Sequence, residues 1–155
     1  MTTAEVFYRL LMASACGAVI GINRDLHHKS AGFRTISMVS VGSAIVAMIA
    51  VESGSDPNAV SRIMQGVLTG IGFLGAGVIL HPATSMRVAG LTTAASIWLT
   101  AGLGIASGLG LYRLVGCGLL VAFVILVAGG PIERRLERFA KRRHTENAVQ
   151  TTKLD

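Results

Sequence analysis

The residues able to do chemistry form a few dense groups. Asn23, Arg24 and Asp25 are followed by His27 and His28, Arg34 and Thr35 come soon after, and Arg87 precedes Thr92 and Thr93. Carboxylate and imidazole are metal ligands. Adjacent histidines point apart on a helix, however, and one carboxylate makes a poor magnesium site. Asp25 has three candidate cationic partners near it, so an ion-pair network is one reading of the group and solvated helix caps are the other. The hydroxyls lack a paired base and no carboxylate dyad occurs, so no enzyme signature is present and no cofactor is expected.

The run GIGFLGAG at 70–77 formally contains the G-x-G-x-x-G of dinucleotide sites. That fingerprint needs a preceding strand and an acid about 20 residues on. No Asp or Glu occurs between Asp56 and Glu133, and the run sits inside an apolar block. Gly66, Gly70, Gly72, Gly75 and Gly77 are therefore expected to let helix backbones approach closely, as are the four-residue pairs Gly17 with Gly21 and Gly104 with Gly108. A locally unwound helix whose carbonyls line a polar cavity is the sharper alternative for 70–77.

These groups must be positioned by membrane helices. Of 155 residues 52% are hydrophobic and 14% charged, against about 25% charged in ordinary soluble domains. Five stretches, 10–23, 35–51, 63–86, 88–112 and 114–132, hold no Asp, Glu, Lys or Arg. Blocks of about 20 apolar residues span the hydrocarbon core as helices, and their continuous apolarity excludes a β-barrel. The expected fold is an all-α integral membrane bundle of five helices, about 4–23, 35–51, 63–81, 88–108 and 113–132, forming one domain over 1–132. Arg9 interrupts the first block and is expected to snorkel toward headgroups. A cleaved signal peptide is the competing reading of that block, but no basic segment precedes it.

Eleven of the fourteen Lys and Arg fall on one face if the C-terminus is inside, with Arg9, Arg62 and Arg113 opposite. The expected topology is N-out and C-in. Residues 133–155 form a basic cytoplasmic tail, in which Ile132, Leu136, Phe139 and Ala140 make one helical stripe suited to lie along anionic headgroups. After Thr145 a frayed end is expected. The net charge of +6 thus marks a membrane face and not an affinity for nucleic acid.

Within the slab, Gln65 with Thr69 and Ser96 with Thr100 share helix faces at four-residue spacing, which predicts interhelical hydrogen bonds. Trp98 is expected to pack against neighbouring helices, and Cys16 and Cys117 to be small buried packers. Almost no ionisable residue lies at mid-depth, which speaks against a proton relay.

GINRD at 21–25, AGFRT at 31–35, Asp56-Pro57, Arg62, GIGFLGAGVI at 70–79, Arg87, GLTTAA at 90–95 and Trp98 together resemble the MgtC/SapB family over about residues 8–127. The resemblance implies a bacterial inner-membrane, multi-pass protein of five helices, associated with low magnesium and survival inside host cells. It implies a regulator of membrane energetics with the ATP synthase as partner, more than a magnesium carrier. The family pattern has Glu where this chain has Asn23, so a role for that carboxylate is not carried over, and Asp25 is the nearest substitute. Many members continue into a cytoplasmic domain after the fifth helix, and functions seated there are not carried over either.

Three functions are expected to compete. In the first, a non-enzymatic membrane protein uses a collar of Asn23, Arg24, Asp25, Arg34, Thr35, Arg87, Thr92 and Thr93 to engage a membrane partner or ion. In the second, a cation channel or transporter, for magnesium above all, requires a homo-oligomer, because five short helices leave little room for a path. The third is a lipid-sensing scaffold built on the tail.

Overall fold

A computed structural model of the chain describes residues 1–54, 56–79 and 90–152, the side chains of 57, 59, 134 and 136–152 excepted. Its helices are α1 (Thr3–Leu26), α2 (Phe33–Glu52), α3 (Pro57–Ile79), α4 (Leu91–Gly108) and α5 (Tyr112–Thr152). Each contains a segment long and apolar enough to cross a membrane: Thr3–Leu26, Phe33–Glu52, Val60–Ile79, Leu91–Gly108 and Tyr112–Glu133. The all-α, five-span expectation holds, and the ends agree with the sequence estimates within a few residues except in α3, which starts earlier, and α5. The chain forms one compact unit over Met1–Leu120 and a second over Val121–Asp155.

The tail is not a separate helix. The fifth span was expected to end at about 132 with the basic tail following it, yet α5 runs through Pro131 to Thr152, 41 residues in one helix. Helical interiors in membrane proteins tolerate proline when neighbouring groups re-satisfy the backbone, and although Gly129 and Gly130 precede this one, the segment from Glu133 onward is rich in helix formers. The stripe at 132–140 therefore continues the helical path of α5, and the fraying expected after Thr145 begins no earlier than Thr152.

Small residues make the core of the first unit. α2 packs against α1, α3 and α4, and α4 against α1, α2 and α3. A Cβ on Gly17 would stand 2.5 Å from the Ser37 Cα, and one on Gly21 2.6 Å from the Phe33 Cα. On α4, a Cβ at Gly104 would lie 2.9 Å from the Ser40 carbonyl carbon, and one at Gly108 3.0 Å from that of Ala44. Both pairs press backbone to backbone on α2 in steps of four residues, as expected where lipid removes the hydrophobic incentive and only close approach rewards contact.

The glycines of α3 behave differently from the expectation. Among the described residues nothing lies within 4 Å of where a Cβ would stand on Gly66, Gly70, Gly72 or Gly77, and a Cβ on Gly75 would meet the Ala94 Cβ at 3.5 Å. The helix is continuous through 70–77, so the unwound alternative is also absent. Four-residue spacing marks a smooth face but carries no information about which neighbour it meets, and α3 is the least buried of the five spans.

The surface is apolar and the interior faintly polar. Phe73, Met38 and Phe7 are 84%, 75% and 68% exposed, whereas Ser40, Thr100 and Ser107 are fully buried. Such an exterior suits lipid. Trp98, at 53% exposed, belongs to it and does not pack inward as expected, and Cys117 is exposed while Cys16 is buried. The expected interhelical bonds of Ser96 and Thr100 are not formed. Ser96 Oγ donates to the Thr92 carbonyl, Thr100 Oγ1 to that of Ser96 and Ser107 Oγ to that of Leu103, at 2.7, 2.7 and 2.8 Å. A hydroxyl satisfied four residues back on its own helix needs no partner from a facing helix. Gln65 and Thr69 are exposed on α3.

Candidate functional site: a polar collar around a buried arginine

The collar is built where α1 ends and α2 and α4 begin. α1 closes with a tight turn in which His27 N and Lys29 N donate to the Arg24 carbonyl at 3.2 and 3.1 Å, and His28 N to that of Asp25 at 3.0 Å. His28 takes a φ of +51°, the left-handed conformation with which helices commonly end. His27 turns Nδ1 back to the Asn23 carbonyl, 2.7 Å away, and both histidines are exposed, with Asn23 half-buried. Among the described residues no three His, Cys, Asp or Glu side chains gather where a metal could be held.

Asp25 caps a helix. Its Oδ2 accepts from Phe33 N at 2.8 Å, at the start of α2, where a carboxylate satisfies a free amide and complements the helix dipole. Gly32 makes this reach feasible, since a Cβ there would lie 2.7 Å from Oδ2 and closer still to the rest of the carboxylate. Among the described residues Asp25 forms no ion pair, the two observed being the Met1 ammonium with Glu52 and Arg9 with Glu5. Of the two readings in the sequence, the cap is the one built. Replacing Asp25 by Ala is expected to cost about 1 kcal/mol, and by Asn much less, measured by reversible unfolding in detergent.

Arg24 lies in the interior, 4% exposed. Its Nη2 donates to Thr93 Oγ1 in the first turn of α4, and Thr93 is 2% exposed. Arg24 Nε is buried and has no partner among the described residues. α4 is entered from its N-cap Gly90, whose φ of +91° turns the chain sharply into the helix and which has no side chain to cap that end. The structure thus joins Arg24 to Thr93 across 69 residues of sequence. It leaves Arg34 and Thr35 exposed on the first turn of α2, and Thr92 exposed beside Thr93. Arg87 lies outside the described residues.

A groove of about 560 Å³ runs between α2 and α3 from Thr35, past Met38 and Gly42, to Leu74, Gly70 and Gly66. Apart from Thr35 and Ser43 its lining is apolar.

Sequence reasoning missed the opposite end of α4. Arg9 does not snorkel. Only 12% of its side chain is exposed, Nη1 donates to the Gly108 carbonyl at 2.6 Å, and Nη2 pairs with Glu5. The available signal was distance: Arg9 and Arg24 are fifteen residues apart on α1, and so are Thr93 and Gly108 on α4, about 22 Å at 1.5 Å per residue.

Known proteins share this chain's sequence. SrpB of Synechococcus elongatus is 44% identical over 150 residues, covering 86% of this chain and 77% of that protein. The Escherichia coli protein named "Putative magnesium transporter YhiD" is 39% identical over 135 residues, 80% of this chain and 60% of its own length. Protein MgtC of Salmonella typhimurium is 40% identical over 94 residues, 61% of this chain and 39% of that one. The chain thus spans about three quarters of SrpB but less than two thirds of YhiD and of MgtC. No solved structure matches it. The pattern of the MgtC family fits residues 10–135, a stretch that takes in the collar, the glycine pairs and all five apolar spans, and this multi-pass membrane protein belongs to that family.

Proposed function

We propose that the protein is a non-enzymatic component of the bacterial inner membrane that supports adaptation to low magnesium, acting through its collar on a membrane partner or on ion homeostasis. The observation that carries this reading is the placement of polar groups. In the interior Ser96, Thr100 and Ser107 bond on their own helix and the buried Ser37 and Ser40 hydroxyls have no partner among the described residues, while the exposed cation Arg34 and the hydroxyls of Thr35 and Thr92 stand at one end of the bundle, where a partner can reach them. The name of the relative YhiD supplies the link to magnesium, and the charge bias of the connections favours a cytoplasmic collar. The ATP synthase is the partner that the family resemblance suggests.

Arg34 is the cleanest probe, because it is exposed and makes no ion pair among the described residues, whereas Asp25 also holds α2. In a strain whose growth at low magnesium depends on this protein, Arg34→Ala is expected to abolish rescue while membrane levels stay unchanged. Full rescue by that variant would sink the reading.

A second reading, an oligomeric magnesium channel or transporter, draws on the name of YhiD and on the unfilled glycine face of α3, which a second copy could cover. Magnesium flux into liposomes holding the full chain would establish it, and absence of flux at high protein density would exclude it.

A further inference from the structure

Among the described residues no ion pair balances the charge on Arg24. A guanidinium offers five N–H donors, of which one is committed to Thr93 and that on Nε has no partner among the described residues. The acids of the compact unit Met1–Leu120 are Glu5, Asp25, Glu52 and Asp56. Glu5 and Glu52 are paired with Arg9 and the Met1 ammonium, Asp56 bonds Asn58, and Asp25 is exposed and committed to Phe33 N. The stretch 80–89 that leads into α4 contains no Asp or Glu. An unpaired buried ion costs several kcal/mol even after relaxation.

Its surroundings add to that cost. Thr93 lies in the first turn of α4, so the guanidinium stands against the positive end of that helix dipole, equivalent to about half a unit charge. The N-cap residue is Gly90, which has no side chain to cap that end, so among the described residues its first amides have no side-chain acceptor of the kind that Asp or Ser at the N-cap supplies. A buried cation and an uncapped helix N-terminus facing one another both call for the same thing, an oxyanion. At the end of the apolar spans, where headgroups begin, the anion at hand is phosphate. Its tetrahedral oxygens can accept from the guanidinium fork, from helix amides and from a threonine hydroxyl at once.

We infer that Arg24, Thr93 and the N-terminus of α4 form a binding site for a phosphate group, carried either by an anionic lipid headgroup or by a soluble phosphate. The inference does not depend on the magnesium reading, and its test reads binding instead of growth.

The full chain, stripped of lipid in a maltoside detergent, is to be examined by hydrogen exchange and by thermal unfolding, with three additions: inorganic phosphate, phosphatidylglycerol, and a control of chloride with diacylglycerol. At a ligand concentration ten times its Kd, exchange at the amides of Leu91, Thr92 and Thr93 is expected to slow by about tenfold and the unfolding midpoint to rise. Protection by inorganic phosphate identifies a soluble phosphate as sufficient, and protection by phosphatidylglycerol alone identifies the lipid headgroup. Arg24→Gln, which removes the charge but keeps a polar side chain, is expected to lose the response. The inference is overturned if neither phosphate source protects these amides beyond the control in the wild-type chain, or if a folded Arg24→Gln variant responds equally. The wild-type exchange decides the matter alone should that variant fail to fold.

Discussion

Gly104→Ala is expected to destabilise the bundle by about 2 to 3 kcal/mol, while the chemically identical change Gly70→Ala stays within about 0.5 kcal/mol. The difference lies in what each methyl meets. At Gly104 it would stand 2.9 Å from the Ser40 carbonyl carbon and 3.0 Å from its Cα. Those atoms belong to the backbone of α2, which cannot rotate aside as a long side chain can. The only relief is to move α2 and α4 apart, which also opens the contact at Gly108 one turn further along and costs dispersion energy over the whole seam. At Gly70 the same methyl enters open space, and in a helix Ala is the better residue by up to about 1 kcal/mol, so the sign itself can favour the variant. Reversible unfolding of both proteins in the same mixed micelles separates them. Equal loss at the two positions would mean that α3 meets a close neighbour in the folded protein. Gly104→Leu should fail to assemble, because no side-chain movement can absorb a branched chain at a backbone contact.

Gly70 and Gly104 also mark the boundary of what could be read in advance. The number of spans was legible, because in hydrocarbon every backbone amide must be satisfied locally and the only local solution is a helix of fixed length. Charge-free stretches therefore map onto helices almost one to one. Which glycine seams are filled was not legible: Gly66 with Gly70 and Gly104 with Gly108 have the same spacing, and only the third dimension says that one meets α2 and the other does not. The hydroxyls of Ser96 and Thr100 mislead for a related reason, since the spacing that would aim them at a neighbour also places each over the carbonyl four residues back on its own helix. In the collar, residue types singled out Arg24, Asp25 and Thr93. Their pairing was hidden, because sequence proximity suggests Asp25 as the partner of a cation, while the fold sends Asp25 forward to Phe33 and Arg24 sideways to Thr93. The length of α5 was hidden by proline, a helix breaker in water that is tolerated where a membrane helix continues into a basic, helix-favouring segment.

The two arginines of α1 tie down α4 at opposite ends, and their environments differ in a way that sets the size of the remaining prediction. Arg24 meets the positive end of α4, whereas Arg9 donates to the Gly108 carbonyl, at the negative end, where a cation is favoured. Arg9→Leu should therefore cost about 2 to 3 kcal/mol, the range for a hydrogen bond made by a charged donor with its acceptor left partly buried. The pair with Glu5 is a minor part of this, because the Glu5 side chain is 40% exposed and ion pairs open to solvent contribute at most about 1 kcal/mol. Glu5→Gln should accordingly cost less than about 1 kcal/mol, and added salt should weaken the wild type only slightly. Arg9→Lys should fall between, since a single ammonium on a flexible stem cannot hold the Gly108 carbonyl and Glu5 in the fixed fork of a guanidinium. Unfolding free energies of the three variants in detergent, at low and high salt, provide the check. If Glu5→Gln proved as damaging as Arg9→Leu, the ion pair and not the helix end would be what Arg9 supplies, and the tethering of α4 at both ends would have to be abandoned.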